Sequence, residues 1–524
     1  MFMKKKYLIT SAWPYVNGEA HIGHIVSSIL PSDIYKRFCN LCGRDSIYVS
    51  GADMHGTPTQ IIAQAQNKNP LEIAYFYKDK WEEVLNLLNI KFDLFTDTET
   101  NIHKNTVQTI FLDLYKKGYI FKDKETQPYC ENDKRFIPDR FVEGICPNCG
   151  NTGVKVSESC EKCNIFITFE NIKDPKCKIC NHTPIIKDTE NFFLDLPKFQ
   201  DKLTKYIESK KNIWRKNAID FTLSYLKEGL KPRSITRDLD YGISVPLKEY
   251  ENKVIYVWFE ALIGYYSASV ELKGKNAKEY WSSNSISSYF LGKDNIMFHA
   301  VILPAILMGL SDFQMPTNII STENIIKDGE KLSKSKHKDI LINDLVKEYG
   351  TDYIRFYLAG IMPENKDCNF TKIGLEQFIN AHLCSNIGNY IHRTLTFLYN
   401  NFEGAIPNIK IKEEQKYLED TILNIKDLID KFKFQEAIYQ ILRFSDTANK
   451  KFNDSKIWEN KDEKAMFILM QYVYTLCVML KPFIPESIEK IEKILNTKIT
   501  KFEYNTLNTK ITKPYVIFEK IEKR

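Results

Sequence analysis

Residues 11–24 constrain the fold of this chain more than any other stretch. They follow a short apolar run at residues 7–10, which predicts a buried strand, and they precede apolar residues at helical spacing. His21 and His24 therefore lie at a strand-to-helix turn, where free backbone N–H groups and the helix dipole favour phosphate. Pro31 is expected to kink or restart the helix that follows. The stretch predicts a phosphate-binding turn, although a His-x-Gly-His sequence also arises by chance.

A second candidate phosphate site lies far downstream, in residues 328–335. This loop carries a glycine, two lysines and two serines, which suit it to hold phosphates from the side opposite the histidines. Taken alone, such a loop is usually only a solvated surface segment. Taken together and in this order, the two motifs predict a nucleotide held between a turn and a loop.

Composition limits the kind of protein and its compartment. The 524 residues suffice for about three or four domains. We expect no apolar run long enough to span a bilayer and no signal-peptide core, and hence a cytoplasmic protein. The net charge of +6 (73 basic minus 67 acidic residues) is compatible with a nucleic-acid partner but does not require one.

Cysteine usage indicates metal binding. Seven of the 12 cysteines lie between residues 130 and 180, and such clustering in a cytosolic chain argues for metal rather than disulfides. Two Cys-x2-Cys pairs could close a tetrahedral zinc site formed by Cys146, Cys149, Cys160 and Cys163. A third pair, Cys177 and Cys180, could form a second site with Cys130 and Asp133, or with His182 as the fourth ligand. Reduced thiols without metal are the alternative.

The order of predicted elements indicates the fold class. Strand and helix patterns alternate up to about residue 117 and again from about 240 to 323, which implies a parallel sheet interrupted by the cysteine-rich insertion. Residues 254–259 are one of the predicted buried strands. Asp53 follows the second strand, where it could pair with an α-ammonium group or simply cap the next helix. From residue 341 the pattern is almost wholly helical.

The sequence therefore predicts an α/β fold: a split Rossmann-like parallel-sheet catalytic domain with a zinc-knuckle insertion and a C-terminal α-helical bundle. The expected domains are the first Rossmann half (1–117), the insertion (118–239), the second Rossmann half (240–323), a lysine-loop subdomain (324–373) and the helical domain (374–524). In the helical domain Asn389 and Arg393 share a face, and Trp458 follows a lysine-rich helix end. These residue types bind unpaired bases, although each side chain could equally lie on the helix surface or pack against a neighbouring helix.

As a set, these motifs resemble the methionyl-tRNA synthetase family of class I aminoacyl-tRNA synthetases over essentially the whole chain. The resemblance rests on residues 12–24, 51–56, 256–258, 292–294 and 331–335, on the cysteine pairs, and on the three residues of the helical domain. It implies activation of L-methionine with ATP to methionyl-adenylate and pyrophosphate, then transfer of methionine to the terminal adenosine of tRNA(Met), initiator and elongator alike. It also implies Mg²⁺ with ATP, one or two Zn²⁺ ions, no membrane partner and a monomer.

The resemblance also implies roles for individual residues. The catalytic groups would be His21, His24, Lys331 and Lys334. The ATP site would comprise Tyr15, Asn17, Gly18, His21, Gly23, His24, Gly292, Asp294, Lys331, Ser333, Lys334 and Ser335. The methionine site would comprise Ala12, Trp13, Tyr15, Asp53, Trp258, Ala261, Tyr265 and His299. The anticodon would be recognised by Asn389, Arg393 and Trp458.

Some residues depart from the family pattern. Trp13 stands where many members carry Leu, and Leu332 replaces the usual Met of the lysine loop. Asp133 stands where two-zinc members carry Cys, which leaves the second metal open. The alternatives are a class I synthetase for another amino acid, a non-catalytic zinc-containing RNA-binding protein and a small-molecule nucleotidyltransferase. The short cysteine-rich insertion argues against a synthetase for another amino acid. The intact histidines and lysines argue against a non-catalytic protein, and the helical C-terminal region argues against a small-molecule nucleotidyltransferase.

Overall fold

A computed structural model describes residues 5–138, 141–156, 159–160, 162–163, 165–327, 330–331 and 341–522. Its centre is a five-stranded sheet in which all neighbouring strands run parallel. In spatial order the strands are Asn318–Thr322, Ser285–Gly292, Lys6–Ser11, Asp45–Ala52 and Leu94–Asp97. The strand order reverses beside the first strand, and ligands of such sheets bind at the carboxyl ends of the strands at that point. The predicted parallel sheet, interrupted by an insertion, is confirmed.

Two helices beside the sheet accommodate a proline after a widened turn. Helix Ile22–His24 passes through a π-helical turn, Ile25–Ile29, into Leu30–Leu41, whose second residue is Pro31. In the same way, a π-helical turn at Phe298–Ile302 precedes a proline in Leu303–Leu310. The wider turn relieves the clash that a proline ring makes with the preceding turn of an α-helix. The chain therefore continues through Pro31 without leaving the helix.

The remaining helical segments around the sheet are Thr57–Ala65, Pro70–Leu87, Asn101–Lys116, Val257–Lys273, Gly274–Trp281 and Lys293–Asn295, the last two in 3-10 form.

The predicted strand at residues 254–259 is wrong. Only Val254–Ile255 form a strand, which pairs with Thr236–Arg237 and Ile243–Ser244 in a small antiparallel sheet. Helix Val257–Lys273 begins directly afterwards and packs against helix Asn101–Lys116 and strand Asp45–Ala52 of the main sheet. Because a helix buried on most sides has no polar stripe, periodicity cannot distinguish its apolar run from a buried strand.

The insertion contains two antiparallel sheets. The larger has the spatial order Arg233–Ser234, Ile185–Leu194, Ile120–Cys130 and Arg135–Phe136. The smaller has the order Thr152–Lys155, Val142–Ile145 and Lys173–Cys177 and carries the cysteines. The helices of this region are Leu196–Phe199 (3-10), Gln200–Glu208 and Lys216–Lys227.

The chain after the main sheet is mostly helical. A small sheet comes first, in the order Glu330–Lys331, Ile325–Lys327 and Cys368–Asn369. The helices are Ile342–Tyr349, Thr351–Gly360, Lys372–Phe378, Ile379–Gly388 (π-helical), Asn389–Asn401, Lys412–Asp430, Phe434–Ser455, Ile457–Asn460, Glu463–Leu480 and Pro485–Ile494. The helical C-terminal region is confirmed, and the bounds of the five domains stay predictions.

Arg355 links the helical region to the main sheet by an ion pair and hydrogen bonds. Its side chain is fully buried, and its Nη2 lies 2.8 Å from Oδ2 of Asp33. It also donates hydrogen bonds to the carbonyl groups of Leu88, Pro482 and Phe483. Removing one partner from such a buried pair typically costs about 3–5 kcal/mol. One hydrophobic core extends through both regions, so their relative placement is set by packing as well as by this pair.

Two helical segments, Lys293–Leu310 and Glu463–Leu480, are long and apolar enough to cross a membrane, contrary to the expectation from the sequence. They are 72% and 78% buried inside the fold. Core helices of this kind pass the same length and composition test, so they are weak support for a membrane span.

Candidate active site

The two histidines of the first turn are held by the backbone. His21 is the N-cap of helix Ile22–His24, and its Nδ1 accepts a hydrogen bond from the N–H of Gly23 at 3.1 Å. Nδ1 of His24 accepts one from the N–H of His21 at 3.2 Å, and the two rings stack with centroids 3.7 Å apart. A Cβ at Gly23 would lie 2.9 Å from the His21 ring, so this turn requires glycine. Because both Nδ1 atoms accept, each neutral ring carries its proton on Nε2, a donor suited to phosphate oxygens.

Trp81 supports this turn, and the sequence analysis did not single it out. It is fully buried on helix Pro70–Leu87, and its Nε1 donates a hydrogen bond to the carbonyl of Gly18 at 3.0 Å. Its ring centroid lies 5.0 Å from that of His24. The only signal in the sequence is an aromatic residue in the apolar stripe of a helix, which usually indicates core packing.

The described chain that follows the lysine loop contacts this turn. Lys331 belongs to strand Glu330–Lys331, which pairs with Ile325–Lys327 just beyond the main sheet. Leu341, the first described residue after the loop, forms an antiparallel bridge with His21. Leu341 therefore lies beside the histidine turn. Three predicted ATP-binding residues lie outside the described part of the chain: Ser333, Lys334 and Ser335.

Asp294, the predicted ribose partner, lies at the same edge of the sheet. It follows strand Ser285–Gly292 in the short turn Lys293–Asn295. Gly292 ends that strand against the first helix, since a Cβ there would lie 3.7 Å from Cβ of Ser27. The second half of the sheet thus brings Asp294 to the carboxyl edge at which the histidine turn begins.

Asp53 directly follows strand Asp45–Ala52 and is 2% exposed. Its backbone forms a parallel bridge with Tyr15, which places it beside the histidine turn. Within the described residues its Oδ1 accepts no hydrogen bond, and burial, with the neighbouring Glu260, raises the pKa of Asp53 well above its ordinary value. Helix Thr57–Ala65 begins after Gly56 without a side-chain cap, so the capping interpretation is wrong. A buried carboxyl with one oxygen that accepts no hydrogen bond fits a cationic group on a ligand.

Three of the residues predicted to contact methionine form one group. Trp13 meets Tyr265 edge-on with centroids 6.3 Å apart, and the Tyr265 hydroxyl lies 2.7 Å from Nε2 of His299. Nδ1 of His299 lies 2.9 Å from the carbonyl oxygen of Asn295, so Nδ1 donates and Nε2 accepts from the tyrosine. Burial lowers the pKa of His299 to about 4, so the ring is neutral at physiological pH.

Trp13 fits because two neighbouring positions are glycine. A Cβ at Gly51 would lie 2.6 Å from Cη2 of Trp13, and a Cβ at Gly264 would lie 2.9 Å from its Cζ2. The two glycines belong to the second strand and to helix Val257–Lys273. The Trp13 ring therefore packs between two elements that are distant in sequence. The sequence offers no local signal for this arrangement.

The other predicted pocket residues surround this group. Ala12 continues the pairing of the first strand, and Ala261 is buried on the same helix as Trp258. Trp258 stacks on Phe298 with centroids 3.8 Å apart and meets Tyr15 edge-on at 5.5 Å. The structure therefore gathers all eight predicted methionine-site residues around the carboxyl ends of the sheet, and their roles stay predictions.

A cavity of about 520 Å³ leads from Tyr15 and Trp258 to the insertion. Its far side carries Arg233 and Arg237, and the guanidinium of Arg237 lies 4.1 Å from the centre of the Tyr256 ring. Guanidinium groups beside an aromatic ring suit the phosphates and bases of a single strand. The sequence analysis missed both arginines, since nothing in their local pattern distinguishes them from ordinary surface residues.

The first cysteine group is compact. The four sulfur atoms of Cys146, Cys149, Cys160 and Cys163 lie within 4.8 Å of one another. Two of the separations, Cys146–Cys163 and Cys149–Cys160, are both 3.6 Å. Sulfur atoms at about 2.3 Å from a tetrahedral zinc lie about 3.8 Å apart. The donor set and its spacing fit a structural zinc ion.

The second group contains Cys130, Asp133, Cys177 and Cys180, whose ligand atoms also lie within 4.8 Å. The sulfur atoms of Cys130 and Cys180 are 3.3 Å apart, and Cys177 Sγ lies 3.4 Å from Oδ2 of Asp133. His182 is exposed, and its Nδ1 lies 3.0 Å from the carbonyl oxygen of Cys180. Asp133 rather than His182 therefore supplies the fourth donor atom, and this set also fits zinc.

Comparisons with known proteins establish the family. The family model for class I tRNA synthetases (M) matches residues 7–395. Methionine–tRNA ligases of Streptococcus pneumoniae (strain CGSP14) and Bacillus cereus (strain B4264) are 39% and 37% identical to this chain, over 98% of this chain and 96% of each relative. The chain belongs to the methionine–tRNA ligase family. The interpretation as a class I synthetase, drawn from the two phosphate-binding motifs, is confirmed.

The fold agrees with that of solved structures. Methionyl-tRNA synthetase of Mycobacterium tuberculosis in complex with methionyl-adenylate superposes with a TM-score of 0.80, covering 98% of this chain and 99% of that chain at 23% identity. Its free form gives a TM-score of 0.76 at 22% identity, over 99% of each chain. The architecture of a methionine–tRNA ligase thus extends over the whole chain.

The three candidate anticodon residues of this chain lie close together. The guanidinium of Arg393 lies 4.1 Å from the centre of the Phe452 ring and donates a hydrogen bond to Oδ1 of Asn453 at 3.0 Å. Trp458 stacks on the same Phe452 at 6.1 Å and is 51% exposed. Asn389 is exposed one helical turn before Arg393. Their roles in tRNA recognition stay predictions.

Proposed function

We propose that this chain joins L-methionine to ATP, releasing pyrophosphate, and then transfers the methionyl group from methionyl-adenylate to the terminal adenosine of tRNA(Met). The observation that carries the proposal is the juxtaposition of the His21–His24 pair with the buried carboxyl of Asp53, whose Oδ1 accepts no hydrogen bond among the described residues, at one edge of the sheet. The histidine pair suits a phosphate group and Asp53 suits an amino group, and an aminoacyl-adenylate carries both.

In the first step the methionine carboxylate attacks the α-phosphorus of ATP, and pyrophosphate leaves. Such a reaction depends on positioning and charge neutralisation rather than on a protein nucleophile. His21 and His24 would donate to phosphate oxygens from the turn. Lys331 and Lys334 of the lysine loop would neutralise further phosphate charge. Mg²⁺ bound with ATP would supply further neutralisation of the phosphate charge.

Methionine is held by charge at one end and by shape at the other. Asp53 receives the α-ammonium group, and the rings of Trp13, Trp258 and Tyr265 enclose the side chain. A thioether gains about 0.3–1.5 kcal/mol from an aromatic contact, which favours methionine over an aliphatic side chain of similar size. Neutral His299 keeps the pocket free of a buried charge.

In the second step a ribose hydroxyl of the terminal adenosine attacks the carbonyl carbon of the adenylate, and AMP leaves. The cavity with Arg233, Arg237 and Tyr256 opens on Tyr15 and Trp258, so it offers a path for the end of the tRNA. Asn389, Arg393 and Trp458 would recognise the anticodon at the other end of the same tRNA, initiator or elongator.

We further propose a cytoplasmic monomer with zinc in the first cysteine group and, through Asp133, in the second. The insertion around these cysteines has only a small core of its own. Zinc bound to such a module contributes folding free energy that a small core cannot supply.

The test is exchange of labelled pyrophosphate into ATP with each of the twenty amino acids, followed by charging of tRNA(Met). We expect exchange with methionine alone. His24→Ala and Lys334→Ala should each slow exchange by roughly two to four powers of ten, the scale of losing one group that stabilises the transition state. Methionine binding measured by calorimetry should barely change. The matched control is Lys216→Ala, a surface lysine of the insertion whose side chain is 87% exposed.

Exchange with a different amino acid would contradict the assignment of methionine. Unchanged rates in His24→Ala and Lys334→Ala would remove these residues from the catalytic machinery.

A further inference from the structure

His55 lies between two carboxylates close to Asp53, and the sequence analysis did not single it out. Its Nδ1 lies 3.0 and 3.1 Å from the two carboxylate oxygens of Glu260, and its Nε2 contacts Oε1 of Glu99. His55 is 4% exposed, and Glu260 is fully buried. Because both ring nitrogens face carboxylates, only the doubly protonated ring can donate to both. Burial opposes this charge, but Glu260 and Glu99 outweigh it and raise the pKa of His55 to about 10.

The charges around His55 do not balance. Nζ of Lys104 lies 2.7 Å from Oε2 of Glu99, so that two cations, His55 and Lys104, accompany three carboxylates. The carboxylate that remains is Asp53, whose Oδ1 has no hydrogen-bond donor among the described residues. A buried carboxylate is costly unless a cation accompanies it. With Asp53 ionised, the group is one positive charge short of neutrality, which agrees with the raised pKa of Asp53 in the absence of a ligand. An α-ammonium group supplies the missing charge.

The charged group around His55 also contacts residues that line the aromatic pocket of Trp13. Nε2 of His103 lies 3.9 Å from Oε2 of Glu260, too far for a hydrogen bond, and the His103 ring stacks on Trp13 at 6.1 Å. The ring of Tyr241 meets His55 edge-on at 5.2 Å, and its hydroxyl donates to a backbone carbonyl next to Asp53. His55 is thus enclosed by groups that also shape the amino-acid site.

We propose that His55 is a positioning residue for the amino group of the amino-acid substrate: its positive charge compensates Glu260 and Glu99, so that Asp53 alone awaits the α-ammonium. The inference rests on the proposed function and extends the amino-group site from one residue to a histidine and three carboxylates. Without the imidazolium, three carboxylates would accompany one lysine, and their repulsion would favour protonation of Asp53. A protonated Asp53 cannot pair with an ammonium group.

The first test is His55→Asn in methionine-dependent pyrophosphate exchange at pH 8, where a histidine without a close carboxylate is neutral. We expect KM for methionine to rise at least about tenfold, while kcat and KM for ATP stay within about threefold. Inhibition by the methionine analogue that lacks the amino group should stay near wild type, since it brings no charge to Asp53.

The decisive test is the double variant His55→Asn with Glu260→Gln. It removes one anion together with the cation, so the group again lacks one positive charge, and an amide pair of similar shape replaces the ion pair. KM for methionine should return to within about threefold of wild type. A purely structural role for His55 predicts the opposite, that the double variant is worse than the single one.

Each outcome bears on one proposal. If His55→Asn fails to fold but the double variant folds, the unbalanced carboxylates are the cause and the proposal is supported. A double variant with no better folding or KM than the single variant overturns it, as does an unchanged KM in His55→Asn. A wild-type protein without methionine-dependent exchange would instead refute the proposed function.

Discussion

Trp458 offers the clearest separation of tRNA recognition from amino-acid activation. The ring is 51% exposed, and its covered face stacks on Phe452, which in turn lies under the guanidinium of Arg393. The exposed face is therefore an open surface on which one unstacked base can lie. We expect Trp458→Ala to impair charging of tRNA(Met) and to leave methionine-dependent pyrophosphate exchange near wild type.

The expected losses of charging efficiency and of stability follow from the two faces of the Trp458 ring. Stacking of one base on an aromatic side chain contributes about 1–3 kcal/mol. At about 1.4 kcal/mol per factor of ten, kcat/KM for tRNA should fall about five- to 150-fold. The covered face contributes to stability: full burial of a large apolar side chain is worth about 1.5–3 kcal/mol, and half of that is about 1 kcal/mol. The melting temperature should therefore fall only slightly.

The assays are charging, exchange and thermal melting on the same preparation. The matched control is Tyr439→Ala, which removes another partly exposed aromatic ring, 44% exposed, from helix Phe434–Ser455. Tyr439 lies about 20 Å from Phe452 along that helix at a rise of 1.5 Å per residue. The control should retain charging and should lose a similar amount of stability.

Two results would refute this reasoning. Charging at the wild-type rate would show that no base stacks on Trp458. A parallel loss of charging, exchange and melting temperature would show that Trp458 only packs the helical region.

The remaining predictions concern the metal groups and the histidine turn. Cys160→Ser should release one zinc ion per chain and loosen the insertion, as measured by metal analysis and limited proteolysis; a fully folded, metal-free wild type would contradict this. Zinc content near two per chain should fall to near one in Asp133→Ala, whereas a wild-type content near one would show that Asp133 does not hold a metal. Trp81→Phe keeps a ring beside His24 but removes the hydrogen bond to Gly18, so kcat for exchange should fall about three- to tenfold with little change in KM for methionine. An unaltered kcat would show that Trp81 only fills the core.

Local sequence was sufficient for the parts of this protein whose physics is local. A strand, a turn and the first residues of a helix are contiguous, so the placement of His21 and His24 could be predicted from the chain alone. Each Cys-x2-Cys pair is likewise a short turn that brings two sulfurs together. The first metal-binding group combines two such turns, and the second combines one with the Cys130-x2-Asp133 turn. The parallel sheet followed from alternating patterns of apolar residues.

Tertiary structure decided what depends on contacts between distant segments. His55, Glu99 and Glu260 come from three elements and meet in a buried space that no local pattern encodes. Residues 257–259 read as a strand in the sequence because burial on most sides of the helix at residues 257–273 removes the polar stripe that identifies a helix. The physical reason is the same in both cases: periodicity shows that a residue is buried, whereas only packing determines which other residues it is buried against.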